Sequence, residues 1–293
     1  MNEPTGIDWL DEMIIGLPKG ELTVIGGRPS QGKTAAALKI SYEMAKRLKD
    51  DESVVFFSAE MTAKQLMMRN ISREAKVNSI ELRKGLAKLP IEDRMRVEEA
   101  MDFMDEHINM FIDETVSPSG QYMLSKVMGL NAKKKVKLVV FDFLELAGLD
   151  DTDKWAQANK VLRIEQATIA LKTIAKIFNI PVIVISQLSR EVENRASGHA
   201  PPAPRNSDLR WSGMIEQLAN MIIMVNYPWF YYNQGMQYEV EPEKDYYEFR
   251  ITKNRDGEVG PIEARFIKHI GDFERAVNDY TDTVEEVVDL PWQ

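Results

Sequence analysis

Apolar stretches of five or six residues recur along the chain, and stretches of helical character separate them. Residues 21–26, 53–58, 109–113, 137–142 and 181–186 read as strands, most of them buried. Between them lie helix formers from Ala35 onward, a segment 62–76 with Thr62 as N-cap, a charged amphipathic segment 92–107, a segment 119–134, and a long one over 154–178. Alternating strands and helices predict a mainly parallel sheet with crossover helices. From Met221 the pattern becomes strand-like and antiparallel over 221–225, 246–252 and 262–268, with turn residues Asn254 to Gly257 between the last two. In the 92–107 segment, Met95, Val97, Met101 and Met104 form an apolar stripe expected to pack in the core. The basic run Lys133–Lys135 is expected to cap a helix C-terminus rather than bind phosphate. No internal repeat and no second domain are visible.

The first strand–helix junction carries the chemistry. Gly27, Gly32, Lys33 and Thr34 satisfy G-x-x-x-x-G-K-[ST], with a strand before and a helix after. Gly27, Arg28, Pro29, Ser30, Gln31, Gly32, Lys33 and Thr34 are therefore the expected nucleotide-binding loop. Successive N–H groups and the helix N-terminus make an anion cradle there. Lys33 is expected to reach the β- and γ-phosphates and Thr34 to hold Mg²⁺. A chance glycine turn before a helix is the bland alternative, and the agreement of motif with context disfavours it.

The 293 residues suit one large α/β domain or two small ones, and 44% hydrophobic residues suffice for a full core. Zero Cys excludes a disulfide framework, a thiolate zinc site and a cysteine nucleophile. The sequence has no signal peptide and no transmembrane-length apolar run, so a soluble cytoplasmic protein without membrane partners is expected. A net charge of −9 disfavours a surface that grips nucleic acid all over, while leaving a local channel open.

Lys33, Glu60, Asp142 and Gln187 each sit just beyond a predicted strand end. Open parallel sheets bind ligands outside the carboxyl ends of their strands, so these four should converge. Asp142 suits a Walker-B-type acid for Mg²⁺, and Glu60 a base that orients the attacking water. Gln187 is placed to touch the γ-phosphate and the loop after it. Singly, a strand-end acid is as readily a cap or a solvated side chain.

Further residues extend the pattern. They are Thr5-Gly6, Leu10-Asp11 and Gly16-Leu17; Arg28 to Ser30; Ser58 to Met61; Phe141 to Leu146; Ser186 to Arg190; Ser207 to Arg210 with Ser212-Gly213; Ile215 to Gln217; and Lys253 to Arg255. Together they resemble the motor domain of DnaB-type replicative helicases, the hexameric RecA-like ring ATPases, over about residues 5–275. The resemblance implies a RecA-like P-loop core, ATP and Mg²⁺, and a homo-hexamer with ATP between neighbouring subunits. It implies single-stranded DNA in the central channel, primase, loader or other replication proteins as partners, and a bacterial or phage-infected cytoplasm. On that resemblance, Lys33, Thr34, Glu60, Asp142 and Gln187 are expected to act from one side, and Arg255, with Lys253 beside it, matches the finger supplied in trans. The loops at about 147–159 and 190–206, with the 210–213 segment, match those that line the family's channel, which makes Arg190, Arg195, Arg205, Arg210, Trp211 and Gly213 the DNA-contact candidates. The motor is expected to occupy 1–278, followed by an acidic tail 279–293. That tail is expected to be solvated, or a partner-docking motif anchored by Leu290 and Trp292.

Departures from the family pattern are Trp211 where an acid is usual, Glu145 for Gln, and Asp256-Gly257 for Asn-Gly. Full-length members of the family carry an N-terminal collar and a linker helix before the motor. This sequence starts at the motor, as an excised piece or a compact phage-type version would. Without a collar, ring formation is expected to be weak and to depend on DNA or nucleotide. The aromatic cluster 227–232 is expected in the core or a subunit interface rather than as a base platform, and metal binding at His199 is disfavoured. A RecA-type recombinase or clock-type ATPase that does not unwind is the alternative function. A P-loop kinase and a silent scaffold are more distant ones, opposed by the arginine loop, the trans finger and the intact acids.

Overall fold

The computed structural model describes residues 2–149, 158–194, 203–209, 212–236, 238 and 240–276. Among these, nine strands form one sheet in the order β3-β2-β4-β5-β1-β6-β7-β8-β9. The strands are β1 Leu22–Gly27, β2 Glu52–Ser58, β3 Met110–Asp113, β4 Lys135–Asp142, β5 Val182–Gln187, β6 Ala219–Asn226, β7 Tyr246–Asn254, β8 Gly260–Ile267 and β9 Asp272–Arg275. The pairings from β3 through β6 are parallel, and those from β6 to β9 are antiparallel.

The continuous apolar runs have a direct cause. Along β4, Leu138 and Val140 enter one core cluster while Val139 and Phe141 enter the other, so both sheet faces are covered. On the first face lie α1 Asp8–Ile14, α2 Lys33–Ala45 and α3 Ala63–Ala75, through Leu10, Leu38 and Leu66. On the second lie α6 Gly120–Asn131 and α7 Lys160–Phe178, through Met123, Val127, Ile164 and Leu171. Strand β7 instead alternates buried Tyr247, Phe249 and Ile251 with half-buried residues, as a strand covered on one face does. Two more helices, α4 Ser79–Arg83 and α5 Ile91–His107, close a satellite core with α3 around Val77, Leu82 and Val97. Short helices α8 Glu191–Asn194, α9 Ser212–Leu218 and α10 Pro228–Tyr232 complete the described set. No described helix is long and apolar enough to cross a membrane.

Several expectations are corrected. Strand β6 is not purely antiparallel: it pairs parallel with β1 and antiparallel with β7, so it is where the sheet changes sense. The Met stripe of α5 is only half buried. Val97, Ala100 and Met104, spaced i, i+3, i+7, face the core, whereas Met95 and Met101 are 55% and 47% exposed. Lys133 and Lys134 cap α6 through their backbone and not through their charges. The Lys133 and Lys134 backbone amides donate to Leu130 O, the Lys134 side chain bonds Asn109, and Lys135 already belongs to β4. The long helix is described from Lys160, and its expected start at 154 lies outside the described residues. The N-cap at Thr62 holds as a full capping box with Gln65.

Candidate functional site

Strands β1, β2, β4 and β5 deliver their carboxyl ends to one cavity of about 440 Å³. Pro29, Ser30, Gly32, Lys33, Thr34, Glu60, Asp142 and Gln187 all line it, so the four strand-end groups converge. Gly32 needs its missing side chain: its φ is +88°, and a Cβ would stand 2.8 Å from the Phe273 ring. Gly27 lies under the Lys33 stem, where a Cβ would be 3.0 Å from Cγ. Gly27 itself does not line the cavity.

Within the expected nucleotide-binding loop, the side chains of Arg28 and Gln31 are buried and shape the loop. The Arg28 N–H donates to Gln31 Oε1 at 3.0 Å, and Arg28 Nη1 donates to Leu188 O at 3.0 Å. Lys33 Nζ donates to Arg28 O at 2.9 Å, poised in the loop's mouth. Thr34 Oγ1 donates to Asp142 Oδ2 at 2.7 Å. Burial pulls the Lys33 ammonium down to about 8, opposed by the charges of Asp142, Glu145 and Glu60. Burial likewise pushes Asp142 up to about 6, opposed by the Thr34 hydrogen bond and by Lys33. An anionic ligand beside Lys33, or a cation beside Asp142, would restore the charged forms.

Local sequence explains how Glu60 is presented. The Ser58 hydroxyl donates to Met61 O at 2.7 Å, and the Met61 N–H donates back to Ser58 Oγ at 3.2 Å. This tight turn between β2 and the Thr62 cap leaves Glu60 exposed at the cavity rim. After β4, a 3₁₀ turn at Leu144–Leu146 buries Glu145. Its Oε1 accepts from Ser186 Oγ at 3.0 Å and from the Gln187 N–H at 2.8 Å. Burial raises the Glu145 carboxyl, opposed most by the Gln187 N–H. Glu145→Gln keeps that acceptor oxygen. Its amide nitrogen would take the place of the buried Oε2, which has no partner, so it should cost less than Glu145→Leu, which strands both donors at about 1–3 kcal/mol for each, as read by urea denaturation.

Sequence reasoning missed the far wall of the cavity. Arg69 of α3, Ser79 and Arg83 of α4, Tyr247 of β7, Phe266 of β8 and Lys268 line it. Tyr227 stacks on Tyr247 with centroids 4.2 Å apart, so the aromatic cluster supports this wall from behind. Tyr231 of the same cluster is fully buried, as the core reading expected. The alternation of β7 marked Tyr247 as inward-facing, but no local pattern said which loop it would face.

Arg255 and Lys253 do not line this cavity. They project at the end of β7, where Arg255 Nη2 donates to Gln217 O at 2.8 Å and Lys253 Nζ donates to Glu216 O. Arg190, Arg205 and Gly213 are exposed on the segments after β5. Arg195, Arg210, Trp211, His199 and the tail 279–293 lie outside the described residues, as do 150–157 of the first channel loop.

The family model described as "DnaB-like helicase C terminal domain" matches residues 3–275. A probable replicative DNA helicase of Trieres chinensis is 38% identical over 258 residues, covering 88% of this chain and 53% of that protein. Replicative DNA helicase DnaB of Geobacillus stearothermophilus is 35% identical over 270 residues, covering 92% and 56%. The chain thus spans about half the length of the curated relatives it matches. A solved ATPase domain superposes with TM-score 0.81 at 31% identity, over 94% of this chain and 91% of that one. A solved DnaB-like replicative helicase, described together with its interactions with primase, gives TM-score 0.80 at 32% identity over 93% and 61%.

Proposed function

From the premise that this chain belongs to the DnaB-like helicase C-terminal domain family, we propose that it is an ATP-driven motor that moves along single-stranded DNA and separates the duplex. The observation that carries this is the division of the catalytic set. Lys33, Thr34, Glu60, Asp142 and Gln187 share one cavity, while Arg255 and Lys253 do not line it and rest on Gln217 O and Glu216 O. Such a split suits a site completed by a neighbouring copy in a homo-hexamer, with cations acting in trans.

ATP fits the cavity. The Gly32 turn packs its Cβ-less face against the Phe273 ring and so holds the loop at the cavity, and Lys33 waits at its mouth on Arg28 O. Thr34 and Asp142 offer the hard oxygens that Mg²⁺ takes. That ion would supply charge neutralisation at the β- and γ-oxygens. Lys33 binds the phosphates, and Glu60 orients the attacking water and takes its proton. Gln187 reports the γ-phosphate to the loop that follows β5, and Arg255 of a neighbour balances the charge developing as the bond breaks. Tyr247 and Phe266 offer apolar surface for the base.

Exposed Arg190 and Arg205, with Arg195, Arg210, Trp211 and Gly213, are the proposed contacts to DNA. They would read phosphate and stacking rather than base edges. Primase is the proposed partner, and a bacterial or phage-infected cytoplasm the proposed setting. The deciding experiment measures ATP hydrolysis with and without single-stranded DNA, displacement of a forked duplex, and the mass of the assembly. Stimulated hydrolysis with directional unwinding is expected. Stimulation without unwinding would point to a recombinase or clock-type ATPase, and transfer of phosphate to a small acceptor to a kinase. DNA affinity should fall steeply with salt and vary little with base composition, as read by titrating labelled oligonucleotides over a salt series. A flat salt response, or strong preference for one sequence, would contradict channel binding.

A further inference from the structure

The two cations at the end of β7 do not point into empty solvent. Both are held on main-chain oxygens at the C-terminal end of α9, Lys253 on Glu216 O and Arg255 on Gln217 O. Cationic donors suit the unpaired carbonyls of a helix C-terminus. The Arg255 N–H also donates to Asn220 O at 3.2 Å, and Asn220 Nδ2 donates to Asp256 Oδ2 at 3.0 Å. The position of this turn is therefore referenced to α9.

The same helix is tied in the opposite direction. Glu216 Oε1 accepts from Asn206 Nδ2 at 3.3 Å. Asn206 belongs to the 3₁₀ turn Asn206–Asp208, at the end of the loop that leaves β5. That turn is fastened to the two residues that follow β5: the Ser189 N–H donates to Asp208 O at 2.7 Å, and Leu188 bridges Leu209. Leu188 O in turn accepts from Arg28 of the P-loop. An unbroken series of contacts thus runs from a subunit's own P-loop, past the DNA-contact segment, through Glu216, to the cations that serve the next site.

Resting on the motor reading above, we propose that Glu216 is a positioning residue that couples the loop ending at Asn206 to Lys253 and Arg255. Its side chain holds the loop while its carbonyl holds Lys253. A shift of the loop on DNA therefore moves the cations against the neighbouring nucleotide. The two functions of Glu216 are chemically separable. Glu216→Ala removes the tie to Asn206 and leaves the carbonyl for Lys253, on a residue well suited to a helix.

The test measures ATP hydrolysis of wild type, Glu216→Ala, Glu216→Gln, Asn206→Ala and the Glu216→Ala/Asn206→Ala pair. It uses saturating and zero oligo-dT, at a concentration where mass measurement confirms assembly. Glu216→Ala is expected to keep its DNA-free rate and its KM for ATP, and to lose about five-fold or more of the DNA stimulation. Glu216→Gln, whose Oε1 still accepts from Asn206, should restore it. Asn206→Ala should reproduce the loss, and the pair should be no worse than either single change, the sign of one shared interaction. Full stimulation in Glu216→Ala, an equal fall with and without DNA, or multiplying losses in the pair would each overturn the proposal. If Glu216→Ala does not fold, Asn206→Ala decides by the same reading. A wild type whose hydrolysis ignores DNA would remove the motor reading and this coupling together. Normal stimulation of both wild type and variants would remove the coupling alone.

Discussion

Arg255→Ala is expected to lower ATP turnover by about 10³- to 10⁵-fold while leaving ATP affinity of the single subunit unchanged, the effect of losing an arginine finger. Arg255 is exposed, lies outside the cavity of its own P-loop, and is oriented by Gln217 O at 2.8 Å. Its loss therefore removes nothing from nucleotide binding within one chain. The defect should be shared between subunits. Mixing Arg255→Ala with Lys33→Ala protein creates some interfaces in which both halves are intact, so hydrolysis should rise above the sum of the two separate variants. The measurement is steady-state phosphate release by the mixture, with mixed assembly verified by mass. No rescue in a verified mixture, or full activity of Arg255→Ala alone, would sink the assignment. Lys253, two residues earlier near the end of β7 and held on Glu216 O, would become the next candidate.

Glu60→Gln should abolish turnover, by roughly 10²- to 10⁴-fold, and leave nucleotide affinity within a small factor. The amide keeps the shape of the side chain on the Ser58–Met61 turn and loses the basicity needed to take a proton from water. Lys33→Ala should act differently, weakening binding itself, because its ammonium is held in the mouth of the proposed phosphate loop on Arg28 O. Fluorescent-nucleotide titration alongside single-turnover hydrolysis separates the two effects. Near-normal turnover by Glu60→Gln would take that residue out of the chemical step.

Much of the architecture was legible because it is encoded within short windows. The doubly covered strands announce themselves as unbroken apolar runs, and the capping box at Thr62 and Gln65 needs only four residues. The motif at Gly27–Thr34 is local too: a strand, a tight turn that Gly32 alone permits, and a helix. Chain order then placed Glu60, Asp142 and Gln187 at neighbouring strand ends, because parallel sheets all present their carboxyl ends to one side.

What stayed hidden depended on distant pairing or on where a side chain turns. Arg28 and Gln31 sit inside a phosphate-binding motif, yet their side chains point inward and brace the loop against Leu188. The Met residues of α5 look equally apolar in sequence, and only the packing of α3 and α4 decides that Val97 faces inward while Met95 does not. The strand-like pattern of β6 could not say that one edge runs parallel to β1 and the other antiparallel to β7.

By itself, the sequence determined the alternating α/β class, the phosphate loop and the strand-end acids, because each is a short-range pattern of burial, turn geometry or spacing. Only the tertiary structure decided that Tyr247, Phe266, Arg69 and Lys268 wall the same cavity. Only it decided that α9 joins Asn206 to Lys253 and Arg255. Those groups meet across long sequence separations, where the hairpins of β7 to β9 fold back past the P-loop. Which side chains touch there is set by sheet register and helix packing, which no local window of the chain contains.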